Sequence, residues 1–344
     1  MIDTVKIYTS ISKEVYNIIY NQSIIKSSIN KKDGELLYEI VNDHLEGSYS
    51  SSLSVRVGCA VKYHLIDDDY YIEIEGSYHK IWKGFNSHDG IYNLQYIVKN
   101  FIYLTENAYN IKLPEIGKWY LQRIDIAKCF DIAKQQNVCE YINSLCLCKY
   151  SRRKLKFFAN ECLYASGTTT TLKIYNKLLE FQKHDQNKFK DTDFKLYDYI
   201  EHIKGFIRFE CEIKKKKLQS LLNIEKKHIS VLELKYDDFE KVWSDEFMKL
   251  LGMLENDLRF VKGKDDVKKR LITLYGNSKG MRLFNFYCSI QLNGIDFVKL
   301  DTTKTVFYRN IKELKLARVD YSQTYDIKEV QYFWFNPFEY EEVV

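Results

Sequence analysis

Proline is nearly missing from this sequence, with 2 in 344 residues, and glycine is held to 14. So few chain breakers leave little room for long flexible linkers. The 7 histidines include no His-x-His pair, which excludes a metal held by two histidines of one strand. The 8 cysteines (59, 129, 139, 146, 148, 162, 211 and 288) show no framework spacing. Cys146-x-Cys148 is tighter than the usual zinc pair, and no second pair follows it. They read as reduced, mostly buried thiols of a cytoplasmic protein. The N-terminus lacks a basic-then-apolar signal and no run approaches 18 apolar residues, so neither secretion nor a membrane span is expected.

What remains is the composition of a folded protein: 45% hydrophobic and 29% charged residues. The length allows two domains. The net charge is a modest +5, but its distribution is uneven. Residues 149–188 hold nine Lys/Arg against three Asp/Glu, and 203–228 hold eight against three. The tail from 320 to 344 carries six acids against Lys328. A basic middle suits a phosphate-binding face, although a solvated helix surface gives the same signal.

Residues 1–9 alternate as an opening strand, and Ser12 is placed to cap a helix running to Tyr20. Strands follow at 54–61 and 70–75, separated by the Asp67-Asp68-Asp69 turn. Leu94, Ile97, Val98, Phe101 and Leu104 mark an amphipathic helix over 92–107. Residues 119–127 read as a strand, 137–147 as a helix and 204–213 as a strand closed by four lysines. Beyond Leu218 the spacing turns helical, over 237–251 and 265–275. Arg282–Asp296 and Val306–Asp320 look alike, each an aromatic-led helix ending in a turn. His79 and His88 stand alone and read as surface or loop residues.

The stretch Thr168–Glu180 is the most telling. Leu172 and Ile174 alternate with Lys173 and Tyr175, so Thr169, Thr171, Lys173, Tyr175 and Lys177 share the polar face of a strand. A tyrosine flanked by lysines suits nucleophilic attack on phosphate, because ammonium groups stabilise a phenolate and hold an anion. The plainer reading is a half-buried sheet tyrosine, one of 28.

Other strands also place charge on one face: Glu73 with Glu75, Arg123 with Asp125, and Arg208 with Glu210. Such charges are costly inside a sheet unless they pair, bind an ion or face a ligand. If these strands are neighbours, carboxylates, cations and a phenol meet on one face. That is what tyrosine-mediated phosphodiester cleavage needs: carboxylates to hold Mg²⁺ or Mn²⁺, basic groups to neutralise phosphate, and a phenolate to attack. The alternative is a salt-bridge network in which Arg123 pairs with Asp125 and Arg208 with Glu210.

Taken in order, these residues resemble the filamentous-phage gene II replication endonucleases, the phage/plasmid replication proteins of the II/X type. The resemblance runs nearly end to end. It rests on Met1-Ile-Asp-Thr, Ser77-x-x-Lys80 with Gly84-x-Asn86, Arg123-Ile-Asp125 and Tyr175-x-Lys177-x-x-Glu180. Arg208-Phe-Glu210, the two aromatic helix-turn units and Trp334-Phe-Asn-Pro337 complete it. It implies an α+β fold, with a mainly antiparallel sheet flanked by helices over residues 1–217, like rolling-circle endonuclease domains but without paired histidines. A mostly helical domain over 218–344 would then bind DNA or a partner. It also implies a rolling-circle initiator acting in the cytoplasm of a bacterial host cell. Such a protein nicks origin DNA, supercoiled or single-stranded, stays 5′-linked and later rejoins the strand, working with a host helicase and polymerase. It implies Tyr175 as nucleophile assisted by Lys177, with Asp125, Glu210 and less closely Glu73 as ligands of Mg²⁺ or Mn²⁺. Arg123, Arg208, Lys173 and Lys80 would contact DNA, as would Lys177. Where the family often has His this chain has Phe85, which can be neither ligand nor base. A second tyrosine, Tyr164 or Tyr197, is a candidate for strand closure. A conjugative relaxase of similar mechanism and a non-catalytic origin-binding protein are the competing readings.

Overall fold

The computed structural model describes residues 1–23, 25–29, 36–46, 52–59, 70–85, 90–145, 150, 153–189, 195–222, 228–251, 264–317, 319, 321, 337 and 342–343. His88, Asn86, the Asp67–Asp69 turn, Cys146, Cys148 and most of the Trp334–Pro337 segment lie outside them. In chain order the elements are β1 (Ile2–Ile11), α1 (Lys13–Gln22), β2 (Ile25–Ile29), β3 (Leu36–Glu46), β4 (Ser52–Cys59), β5 (Tyr70–Ser77), α2 (Tyr78–Lys83) and α3 (Leu94–Tyr109). There follow β6 (Tyr120–Asp131), α4 (Gln135–Ser144), β7 (Lys154–Phe158), β8 (Cys162–Ser166), β9 (Thr170–Asn176), α5 (Lys177–His184), α6 (Leu196–His202) and β10 (Phe206–Lys214). The described elements after β10 are helices: α7 (Lys215–Leu221), α8 (Tyr236–Leu251), α9 (Lys264–Asn293), α10 (Ile295–Asp301) and α11 (Lys304–Leu316).

All ten strands form one antiparallel sheet in the order β2-β3-β4-β5-β1-β6-β10-β9-β8-β7. The expected fold is therefore the observed one. Period-two patterning splits its centre into two faces. Val5, Ile7, Ile72, Ile74, Ile124, Ile126, Phe209, Cys211 and Ile174 are fully buried on one side. Helices cover that side: Trp243 of α8 donates through Nε1 to the Phe209 carbonyl at 3.2 Å, and Phe247 and Tyr141 pack against the Phe209 ring. Ser12 caps α1 as its sequence suggests, its Oγ accepting from the Val15 amide. At the sheet's end Gly205 lets β10 begin hard against the end of β6, since a Cβ there would sit 2.2 Å from Asp131 Oδ1.

The chain forms two compact units. The first comprises Met1–Asn143, Tyr150–Leu250 and Asn336–Val344, and the second Ser144–Lys149 with Leu251–Phe335. The division thus falls near residue 250 rather than after 217. The reason is apolar: α7 and α8 carry Leu218, Phe239, Trp243 and Phe247 into the sheet's core. The C-terminal residues also return to the first unit, where the Val343 amide donates to Cys129 O at 2.9 Å. In the second unit Val267, Leu271, Leu283, Tyr287, Ile290, Ile311 and Leu314 form a separate helical core. There Gly276 (φ 75°) kinks α9, a conformation that suits glycine. Both look-alike stretches contribute helices, the end of α9 and α11. Of the four lysines expected to close β10, Lys214 ends the strand and Lys215, Lys216 and Lys217 begin α7.

A polar cleft on the open sheet face

Side chains directly opposite on paired strands share a face. The registers Tyr175↔Arg208↔Cys129 and Lys173↔Glu210↔Ala127 therefore align these residues with Thr171↔Glu212↔Asp125 on the face away from α8. That face forms the floor of a cleft of about 770 Å³ lined by Tyr175, Glu210, Lys173, Asp125, Arg123 and Lys80, together with Asp3, Thr4, Ser77 and Tyr164. Tyr175 Oη donates to Glu210 Oε2 at 3.0 Å, and Lys173 Nζ donates to Glu210 Oε1 at 2.5 Å. Arg123 forks onto both oxygens of Asp125, at 2.8 and 2.5 Å. It also reaches Glu75 at 3.1 Å and Glu212 at 3.6 Å. Lys80 lies 3.3 Å from the buried Asp185.

Burial dominates the electrostatics. It pushes the Tyr175 phenol well above its ordinary value; the Arg208 guanidinium opposes that shift and the Glu210 charge adds to it. Burial also raises the Asp125 carboxyl to about 7; Arg123 works against this, and the neighbouring Glu210 charge reinforces it. Desolvation would lower Lys173, yet Glu210 and Asp125 hold it above its usual range. Asp125 and Glu210, both buried and coupled through their charges, are oxygen donors of the kind a hard divalent cation takes, and in this structure they pair with Arg123 and with Lys173. Among the described residues no group of three or more His, Cys, Asp or Glu side chains is arranged around a metal position. A pair is nevertheless sufficient for Mg²⁺, which commonly takes one or two carboxylates and completes its shell with waters and substrate phosphate.

Three expected site residues are not brought into the cleft. Lys177 does not continue the strand's polar face: the Asn176 side chain accepts from the Leu178 and Leu179 amides, ending β9 and capping α5. Lys177 is consequently fully buried and bridges to Glu180 at 2.8 Å. Arg208 is also fully buried, so it offers no surface to a DNA phosphate. Its Nη2 lies 3.3 Å from Asp3, and Glu210 pairs with Lys173. Glu73 sits farther along the sheet, held by Lys6 at 2.9 Å and Arg56 at 3.4 Å. The Arg123–Asp125 half of the salt-bridge alternative is present. His79, expected at the surface or in a loop, is buried in α2. Phe85 packs edge-on against Tyr199 and Phe181.

Asp3 is the residue that the sequence pattern concealed. Between the pairs Ile2↔Ile126 and Val5↔Ile124, β1 has two residues and β6 has only Asp125. This bulge turns Asp3 into the cleft, where Ser77 Oγ donates to it at 3.2 Å. Alternation along β1 alone does not reveal a bulge.

The family model for the N-terminal part of the gene II replication-associated protein matches residues 1–234, about two-thirds of the chain. This chain belongs to that family. The matched span contains the whole sheet and every residue of the cleft. A solved rolling circle replication initiator protein from Geobacillus stearothermophilus is similar at 12% identity, over 65% of this chain and 77% of that one, with a TM-score of 0.27. That likeness is too loose to carry an argument. No curated protein matches the chain. As a member of the gene II family, the chain is replication-associated. No described helix is long and apolar enough to cross a membrane.

Proposed function

We propose that this protein initiates rolling-circle DNA replication by nicking one strand at an origin and remaining attached to its 5′ end through Tyr175. The observation that carries the reading is the Tyr175–Glu210 hydrogen bond in a cleft that also gathers Lys173, Arg123, Asp125 and Lys80. In the proposed reaction Glu210 takes the phenolic proton as Tyr175 Oη attacks phosphorus. The new Tyr–O–P bond replaces the P–O3′ bond, and the departing 3′-oxygen acquires a proton to become a free 3′-OH. Reversal with a second 3′-OH rejoins the strand. Lys173 fixes Glu210 toward the phenol, while Arg123 and Lys80 face the phosphate. Mg²⁺ or Mn²⁺ would be held by Asp125 and Glu210 and, when bound, would polarise the scissile phosphate. Arg208, paired with Asp3, acts from beneath as a fixed positive charge favouring the phenolate.

In this role the protein works in the cytoplasm of a bacterial host, handing its 3′-OH to a host polymerase and its displaced strand to a helicase. The test is incubation with supercoiled origin plasmid and Mg²⁺ or Mn²⁺, followed by denaturation. Protein bound to 5′ ends, lost in Tyr175→Phe with DNA binding retained, supports the proposal. Binding without any adduct overturns it in favour of a non-catalytic origin-binding protein.

A further inference from the structure

The β7–β8 hairpin adds a feature that the cleavage chemistry does not use. Register runs Phe158↔Cys162↔Tyr175, so Phe158 lies on the cleft face two strands out from Tyr175. At the usual strand spacing that is about 10 Å, within reach of a base adjoining a phosphate held at Tyr175. Phe158 is 48% exposed. Its ring meets Tyr164 edge-on, with centroids 6.3 Å apart and planes at 88°. Both residues line the cleft. On the same face β7 carries Lys154 and Lys156, both exposed. At the rim Lys183 lies 3.7 Å from Glu161. Lysines on an edge strand also discourage strand addition, so charge alone does not define the surface. The exposed Phe158 ring against the half-buried Tyr164, beside these lysines, does, because bases stack on aromatic rings while the backbone follows the charge.

We propose that Phe158, backed by Tyr164, is a stacking subsite for an unpaired base of the strand that passes Tyr175. This rests on the nucleic-acid reading of the cleft and adds that the bound strand is unpaired there. The test is equilibrium binding of a fluorescent oligo(dT) 20-mer and an abasic phosphodiester of equal length, at one salt concentration. Wild type should prefer the oligo(dT). Phe158→Ala should weaken oligo(dT) binding by roughly 5- to 150-fold, the worth of one stacked base, and leave the abasic strand unchanged. Phe158→Trp should retain the preference, and its circular dichroism, with that of the alanine variant, guards against misfolding. Equal losses on both strands, no loss, or no wild-type preference would each overturn the subsite. Adduct formation at Tyr175 is read separately on origin plasmid, so the two failures are distinguishable.

Discussion

Tyr175 Oη donates a 3.0 Å hydrogen bond to Glu210 Oε2, while Lys173 holds the other oxygen of the same carboxylate. The proposed nucleophile, base and orienting group thus come from neighbouring positions of two paired strands. Glu210→Gln keeps the shape and an acceptor but loses the base. Single-turnover adduct formation should fall by about 10²- to 10⁴-fold, the usual worth of general-base catalysis, with circular dichroism unchanged. A near-normal rate would remove Glu210 from the chemistry.

Asp125 should matter through metal affinity. Asp125→Asn is expected to weaken Mn²⁺ binding, measured by titration calorimetry without DNA, by at least about tenfold. Unaltered Mn²⁺ affinity would place the ion elsewhere.

Asp3 and Arg208 form a buried pair, so removing one partner strands the other. Asp3→Asn should cost about 3 kcal/mol in denaturant unfolding at neutral pH. Burial raises the Asp3 carboxyl, but Arg208, with smaller contributions from His79, Lys80 and Lys173, outweighs it in sum and leaves the folded value below the ordinary 3.8. A depressed folded value contributes stability that is complete above 3.8 and is lost as pH falls through the folded value. Wild type should therefore lose its advantage over Asp3→Asn only in that acid range. A difference between the two proteins that does not change with pH would contradict the pairing.

Glu246 fastens α8 to the strand that carries Tyr175. Thr170 Oγ1 donates to it at 2.8 Å, Tyr150 Oη at 2.9 Å, and Arg153 pairs with it in the same buried pocket. Glu246→Ala leaves Arg153 uncompensated and should lower stability by about 3 kcal/mol in denaturant unfolding. A change under about 0.5 kcal/mol would show that the network is not structural.

Much of this site was legible because strand periodicity is robust: Arg123 with Asp125, Glu210, Lys173 and Tyr175 all fall on the face that alternation assigns. Lys177 misleads for the same reason. It continues the polar alternation, and only the Asn176 cap shows that the strand has ended. Arg208 shares the charged face, but long-range packing under Tyr175 decides its burial, and no local pattern carries that information. Asp3 needs the β1 bulge. The β7–β8 hairpin escapes notice because each strand is only five residues long. Such short runs give the pattern little to register.

The most direct test of covalent chemistry at Tyr175 is mass spectrometry of the protease-digested DNA adduct. The account predicts a nucleotide-modified peptide carrying the phosphodiester on Tyr175. Linkage to another residue, Tyr164 or Tyr197 included, as the product of the first cleavage would contradict it.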